Sequence, residues 1–343
     1  MIAVDGANSD DIVLRNMIFQ GTVLGPTLWN LFFSDLDDSV SGTDHIPHKF
    51  ADDVSTTKTY EYATTDAAIY EDLGHSQSLL HAWGDRNRVS FDAVKEKMMI
   101  ISTTGDSDSS FRLLGPIIDC RLRMHHCIDK LYRKSKPKAR SILRCAAFYD
   151  LPSLLLLFKS HCRSQIEWAN GAIYHAAKSL LSRIDSVQTS FCEHLNLNVA
   201  SAFLEFNLAP LQLRRDIGML GVLWKVSRKS AHSDMCNLFP LRTAPRPTNV
   251  VTRSMSRRLH LLFIDQCDGS QLDIFARSLF GLIRVWNSLP DNFVLTSSVK
   301  DFQKLLTHAA RNACWRGESN WDVMFSPSAY PGCTLLRKYC WNN

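Results

Sequence analysis

Two aspartates, Asp52 and Asp53, stand side by side in the stretch HKFADDVST, residues 48–56. Neighbouring carboxylates repel, so folding gains nothing from setting them together. A carboxylate pair at the tip of a hairpin can hold a hard divalent cation such as Mg²⁺ or Mn²⁺. Magnesium takes one or two carboxylates and fills other positions with substrate phosphate oxygens. Two such ions can clamp the attacking and leaving oxygens of an in-line phosphoryl displacement. Aspartate is also common in surface turns, and on "ADD" alone the turn is the simpler reading.

A second stretch is chemically expressive. DKLYRKSKPKARSILR, residues 129–144, holds seven Lys or Arg against one Asp. A solvated helix face and a phosphate-contacting surface both suit this composition. The second would release counterions and make binding steeply salt-dependent. Tyr132 within the run offers a stacking surface. Ten cysteines are scattered without a C-x-x-C pair. MHHC at 124–127, His161 with Cys162, and CEH at 192–194 lack the paired spacing of a structural zinc site. The cysteines are therefore read as buried or free thiols in a reducing compartment.

The elements that must position these residues change along the chain. Ile46 and Phe50 precede the aspartates, and Val54 with Thr56, Thr57 and Thr59 follows, a pattern that permits a hairpin with the pair at its bend. Over residues 26–36, Leu28, Trp29, Phe32, Phe33 and Leu36 share one helical face, with Pro26 in the first turn. SLLHAWGDRNR predicts a helix ending near Gly84, and VSFDAV and KMMIIST predict strands beyond it. His48 and Lys49 make the strand before the pair more polar than a buried one should be.

Past about residue 120 the chain reads as mostly helical. Asp150 is an N-cap with Pro152 behind it, and Leu154, Leu155, Phe158, Cys162 and Ile166 follow at helical spacing. Ile173, Ala177, Leu180, Leu181, Ile184, Val187 and Phe191 repeat the theme, and both stripes are read as core. Residues 239–256 contain three prolines, three arginines and no acid, the composition of an extended linker. A last helical unit is predicted over roughly 272–312, and no internal repeat is visible.

The chain has 343 residues, 45% hydrophobic and 21% charged, a globular balance with room for two or three domains. The net charge is +5, with acids concentrated before residue 119 and bases after Arg121. No apolar run approaches the roughly 20 residues that span a bilayer, and no signal peptide is visible. The expected location is intracellular, in cytoplasm, nucleus or both, with no membrane partner and no obligate protein partner.

FQGTVLGPTLWNLFFSDL, residues 19–36, and FADD at 50–53 together resemble reverse transcriptases of non-LTR (LINE-type, jockey-like) retrotransposons. There a glutamine-glycine turn and a Leu-Gly-Pro helix start precede an apolar helix and then a Phe/Tyr-Ala-Asp-Asp signature. WGDRNRVSFDAVKEKMMII, FRLLG at 111–115, LFKSHCRSQIEW, LRRDIGMLGVL and VWNSLP are similar to further family segments in the same order. The resemblance implies an α+β fold: a partial polymerase palm over 1–118, a helical thumb-like region over 119–240, and a linker with a helical C-terminal region over 241–343. It implies RNA-directed DNA polymerase chemistry, two-metal nucleotidyl transfer on an RNA template, a DNA primer and dNTP.

It also implies roles. Asp52 would bind metal, supported by Asp53. Lys95 would stand near the leaving pyrophosphate. Gln20 and Gly21 would lie against template and nucleotide, and Gly25 and Pro26 would shape the turn into the helix. Phe111, Leu114 and Gly115 would seat the primer end. Lys130, Arg133, Lys134, Lys136, Lys138 and Arg140 would follow the duplex backbone. The family's further catalytic aspartate stands well upstream of the glutamine-glycine turn, and Asp5, Asp10 and Asp11 lack its aromatic context. The fingers that hold template and nucleotide are missing too. The expectation is thus a polymerase fragment inactive alone, with a non-catalytic nucleic-acid-binding remnant or a decayed open reading frame as alternatives.

Overall fold

Among the described residues helices carry most of the fold and the strands come as small antiparallel pairs, a mixed α+β arrangement. The computed structural model describes residues 3–4, 7–8, 22–103, 109–242, 261–267, 273–329 and 334–340. Asp5, Asp10, Asp11, Gln20 and Gly21 lie outside the described residues, as does 243–256 of the expected linker. The chain divides into two compact units, Met1–Ile100 and Ile101–Asn343.

In the first unit, β1 (Ala3–Val4) pairs with β2 (Ala7–Asn8). Helix α1 (Gly25–Phe32) carries Pro26 in its first turn, where the missing N–H would have had no partner. It stops after Phe32, and a separate short helix α2 (Leu36–Ser39) follows. The expected single apolar face over 26–36 is therefore divided: Phe33 and Leu36 are buried with Trp83, while Leu28 and Phe32 are exposed.

Helix α3 (Asp66–Asn87) starts at Thr65, whose hydroxyl accepts the Ala68 amide, and runs through Gly84 rather than ending there. Arg88 closes it in the left-handed region at φ 56°, and the Val89 amide reaches back to the Gly84 carbonyl at 2.8 Å. That is a Schellman end. Gly84 has to lack a Cβ, which would stand 2.6 Å from the Val89 oxygen. The strands expected in VSFDAV and KMMIIST do not form; residues 89–103 are turns and irregular chain. Val89 spends its amide on the helix end, and Phe91 packs back on the α3 side chain His81, ring centroids 5.5 Å apart, so no ladder forms there.

The second unit opens with the hairpin of β5 (Ser110–Arg112) and β6 (Ile117–Asp119). The Leu113 amide donates to the Pro116 carbonyl at 3.0 Å, and Leu114 and Gly115 between them take φ 48° and 109°. Positive φ at both central residues is the type I′ turn that matches strand twist. The Asp119 carboxylate then accepts the amides of Arg123 and Met124 at 2.9 and 2.6 Å, where helix α4 (His125–Arg144) begins.

Asp150 caps α5 (Leu151–Phe158) as expected, accepting the Ser153 amide, and a π-helical turn (Lys159–Arg163) leads into α6 (Ser164–Glu167) and α7 (Asn170–Ile173). The chain extends at Ala177, ψ 142°, so the stripe over 173–191 spans a break before α8 (Lys178–His194). Leu154, Leu155, Phe158, Cys162, Ile166, Ile184 and Phe191 are buried together with Ile128 and Leu131 of α4, so both stripes are core.

A second core collects α9 (Val199–Phe206), α10 (Leu211–Ser227), α11 (Ser233–Leu238), α13 (Leu282–Ser288), α14 (Asp291–Val294), α15 (Val299–Trp315) and α16 (Thr334–Cys340) around residues such as Phe203, Leu220, Trp286 and Phe302, with α12 (Asp273–Arg277) at its edge through Phe275 against Phe280. The start of the expected linker belongs to it: Phe239 is buried and Leu241 bridges Phe263. The nine described cysteines are free thiols. Among the described residues no helix is long and apolar enough to cross a membrane.

Candidate functional site

The aspartate pair sits at the tip of a two-residue hairpin, as its flanking residues suggested. β3 (Ile46–Phe50) and β4 (Asp53–Thr57) pair antiparallel with Phe50 opposite Asp53, leaving Ala51 and Asp52 at the bend. Ala51 takes φ 54°, a left-handed conformation uncommon for alanine. Both carboxylates are exposed. Among the described residues no third strand joins this hairpin, which accounts for the polar His48 and Lys49: they lie on exposed strand positions.

Contacts at both ends hold this hairpin in place. The Trp29 indole N–H of α1 donates to the Ala51 carbonyl at 2.7 Å. Lys49 Nζ donates to the Phe33 carbonyl at 3.1 Å and pairs with Asp37 at 2.9 Å. At the far end, Lys58 pairs with Asp72 of α3 at 2.8 Å, and Tyr60 and His45 also bond that carboxylate at 2.7 and 3.0 Å. The Lys58 bond, then those of Tyr60 and His45, hold the Asp72 carboxyl down at about 2. Burial, and then Asp72, push the Tyr60 hydroxyl up to about 12.

Asp52 and Asp53 make an open pair. Among the described residues no group of three or more His, Cys, Asp or Glu side chains could hold a metal ion. Carboxylate oxygens are donors of the kind a magnesium ion takes, and two of them would leave most of its positions to water or phosphate. Lys95 lies in the turn after α3, exposed and ion-paired with Asp92 at 3.3 Å. Gly25 is buried at the start of α1, its amide donating to Thr22 Oγ1 at 3.1 Å.

The basic run forms α4, and burial splits it. Ile128, Leu131, Ser135 and Ala139 face the core. On one flank Lys130 and Lys134 border a small cavity with Arg112, Gly115 and Trp168. On the other, Lys136 and Arg140 border a larger one of about 210 Å³ with Tyr132, Ser190, Phe191 and His194 of α8. Tyr132 is held between two cations, Lys136 at 4.8 Å and Arg183 at 4.7 Å from its ring. Arg133 pairs with Asp129 at 2.7 Å, while Lys138 is exposed. The run thus presents two cationic flanks rather than one stripe. Phe111 is half-buried and Leu114 exposed at the β5–β6 turn.

No family model, no curated protein and no solved structure matches this chain.

Trp168, Arg112 and Gln165 were not marked by sequence reasoning. Trp168 lies in the QIEW segment already singled out, but nothing local ties its ring to Gly115. Only the folded chain brings them together, with a Cβ on Gly115 landing 2.8 Å from the indole.

Proposed function

We propose that this chain is a palm-and-thumb remnant of a non-LTR retrotransposon reverse transcriptase that holds nucleic acid and does not polymerise by itself. One observation carries the reading. The turn bearing Asp52 and Asp53 is fastened through Ala51 to Trp29, on the helix opened by Gly25 and Pro26. The two best-defined pieces of the resemblance therefore lie against each other. In this reading residues 1–118, with α1–α3, are palm, and residues 119–240, with α4–α11, are thumb.

Mg²⁺ at Asp52 and Asp53 would neutralise charge on a transferring phosphoryl group. The upstream aspartate that the resemblance calls for has no match in context, since Asp5, Asp10 and Asp11 lack its aromatic neighbour, and this supports an incomplete two-metal site. Gln20, Gly21 and Lys95 keep their implied roles beside template, nucleotide and pyrophosphate. The exposed cations of α4 supply the binding: Lys134, Lys138 and Arg140 meet phosphates, with Lys130 and Lys136 behind them.

Primer extension on an oligoribonucleotide template with Mg²⁺ tests this, run with the parent and Asp52→Asn beside a salt titration of template binding. Neither protein should extend the primer. Both should bind, with log K falling against log salt at a slope of about −0.7 per neutralised phosphate on a single strand. Extension by the parent alone would show that a further carboxylate completes the site. Binding indifferent to salt would sink the reading.

A decayed reading frame is the second reading, favoured by the uncovered apolar face of α1, where Leu28 is 50% and Leu31 71% exposed. Cooperative unfolding of a soluble monomer would count against it.

A further inference from the structure

Between the β5–β6 turn, α4 and α6 lies a cavity of about 50 Å³ whose wall carries three cations, Arg112, Lys130 and Lys134. Among the described residues no Asp or Glu lines it. The nearby carboxylates are committed elsewhere: Asp129 to Arg133 and Arg183 at 2.7 and 2.8 Å, Glu167 to Arg214. The Arg112 Nε donates to the Gly115 carbonyl at 3.2 Å, which fixes the guanidinium beside the turn.

Two further features point to an occupant. The Oε1 atom of Gln165 is buried in the wall without a hydrogen-bond partner. A buried polar atom left so is explained by a ligand or water, and a side-chain amide can present either its oxygen or its NH₂ to one. Trp168 closes the cavity. Part of its six-membered ring seats on Gly115, at φ 109°, and the side chain is still 51% exposed.

We propose that this cavity takes the phosphate of a nucleotide whose base stacks on Trp168. Size decides which end goes inside. A water needs roughly 10–15 Å³ of such space, so the cavity admits a phosphate-sized group and no base. Three lysine and arginine side chains match a phosphate dianion, and the open indole is the surface on which a base of any identity stacks. The site is built wholly within the second unit and does not use Asp52 or Asp53, so it stands whether or not the chain descends from a polymerase. A free mononucleotide and the phosphorylated end of a strand present the same chemistry.

Calorimetric titration of the full chain at low salt separates these. The ligands are dTMP, inorganic phosphate and a 5′-phosphorylated oligo-dT, and the proteins are the parent, Lys134→Gln, Trp168→Leu and, as a control at an exposed lysine away from α4, Lys300→Gln. We expect dTMP to bind about tenfold more tightly than inorganic phosphate, the share that stacking contributes. Lys134→Gln, at an exposed position that leaves the fold intact, should weaken dTMP about fivefold or more. Trp168→Leu should bring dTMP to the level of phosphate, and Lys300→Gln should leave dTMP unchanged. Binding of the oligonucleotide without dTMP would assign the site to strand ends, and binding of dTMP would assign it to free nucleotide as well. Equal affinity for dTMP and phosphate overturns the stacking. Absence of binding by every ligand, or no change in Lys134→Gln, overturns the site, while salt-dependent template binding on the rest of α4 is scored separately.

Discussion

At the scale of single residues, Trp29 does the most to define the aspartate turn. Its indole N–H satisfies the carbonyl of Ala51, the residue that must take a left-handed φ of 54° to bring Asp52 round the bend. Its ring stacks on Phe33 with centroids 4.7 Å apart, so Trp29→Phe removes the hydrogen bond while keeping most of the packing. The loss should be about 0.5–1.5 kcal/mol in the stability of the first unit. Faster amide exchange should be confined to Phe50–Asp53, and exchange spread evenly over α3 would contradict this role. The need for a bend at Asp52 was legible in the sequence, from the β-branched residues after it. That an indole twenty-two positions earlier would hold the bend was not, because side-chain reach across that span depends on the fold.

At the scale of elements, α10 is tied to its neighbours by a polar pair inside an apolar core. Arg215 forms two bonds to Asp185 of α8, at 2.7 and 2.5 Å. Asp216, fully buried, accepts the Tyr174 hydroxyl at 2.6 Å and the Gln212 amide at 3.0 Å. Burial pushes its carboxyl from 3.8 up to about 7. The folded protein therefore holds this proton more tightly than the unfolded chain. The contribution is complete below about pH 4 and is lost as pH rises to about 7. Thermal melts of the parent should show the midpoint falling across that window. In Asp216→Asn, which stays neutral, that part of the slope should vanish; a slope unchanged by the substitution would refute the assignment. Nothing in the sequence marked Asp216 as buried, since LRRDIGML reads equally as a helix with a charged face.

At the scale of the whole chain, the cores lie in the helical unit, and the first unit carries a small one around Phe33, Leu36 and Trp83. Helix α1 consequently leaves Leu24, Leu28 and Leu31 in contact with solvent. Such a face associates with itself or with a partner. The double variant Leu28→Glu with Leu31→Glu should reduce concentration-dependent light scattering at least severalfold with no change in circular dichroism. Scattering equal to the parent's would show that this face does not drive association.

What the sequence determined by itself was local. Asp150 caps a helix because its carboxylate needs only the amide three residues on, Pro26 is accepted because its own N–H is not required, and two residues suffice to turn the chain at Ala51 and Asp52. Tertiary structure decided what depends on distant neighbours. Strands at 89–103 had the right residue types but found no ladder, and β-propensity forms none without a partner. The basic run looked uniform until burial of Ile128, Leu131, Ser135 and Ala139 divided it, sending Lys130 and Lys134 to one cavity and Lys136 and Arg140 to another. Charge along a chain is fixed by sequence; which charges share a cavity is fixed by how helices pack.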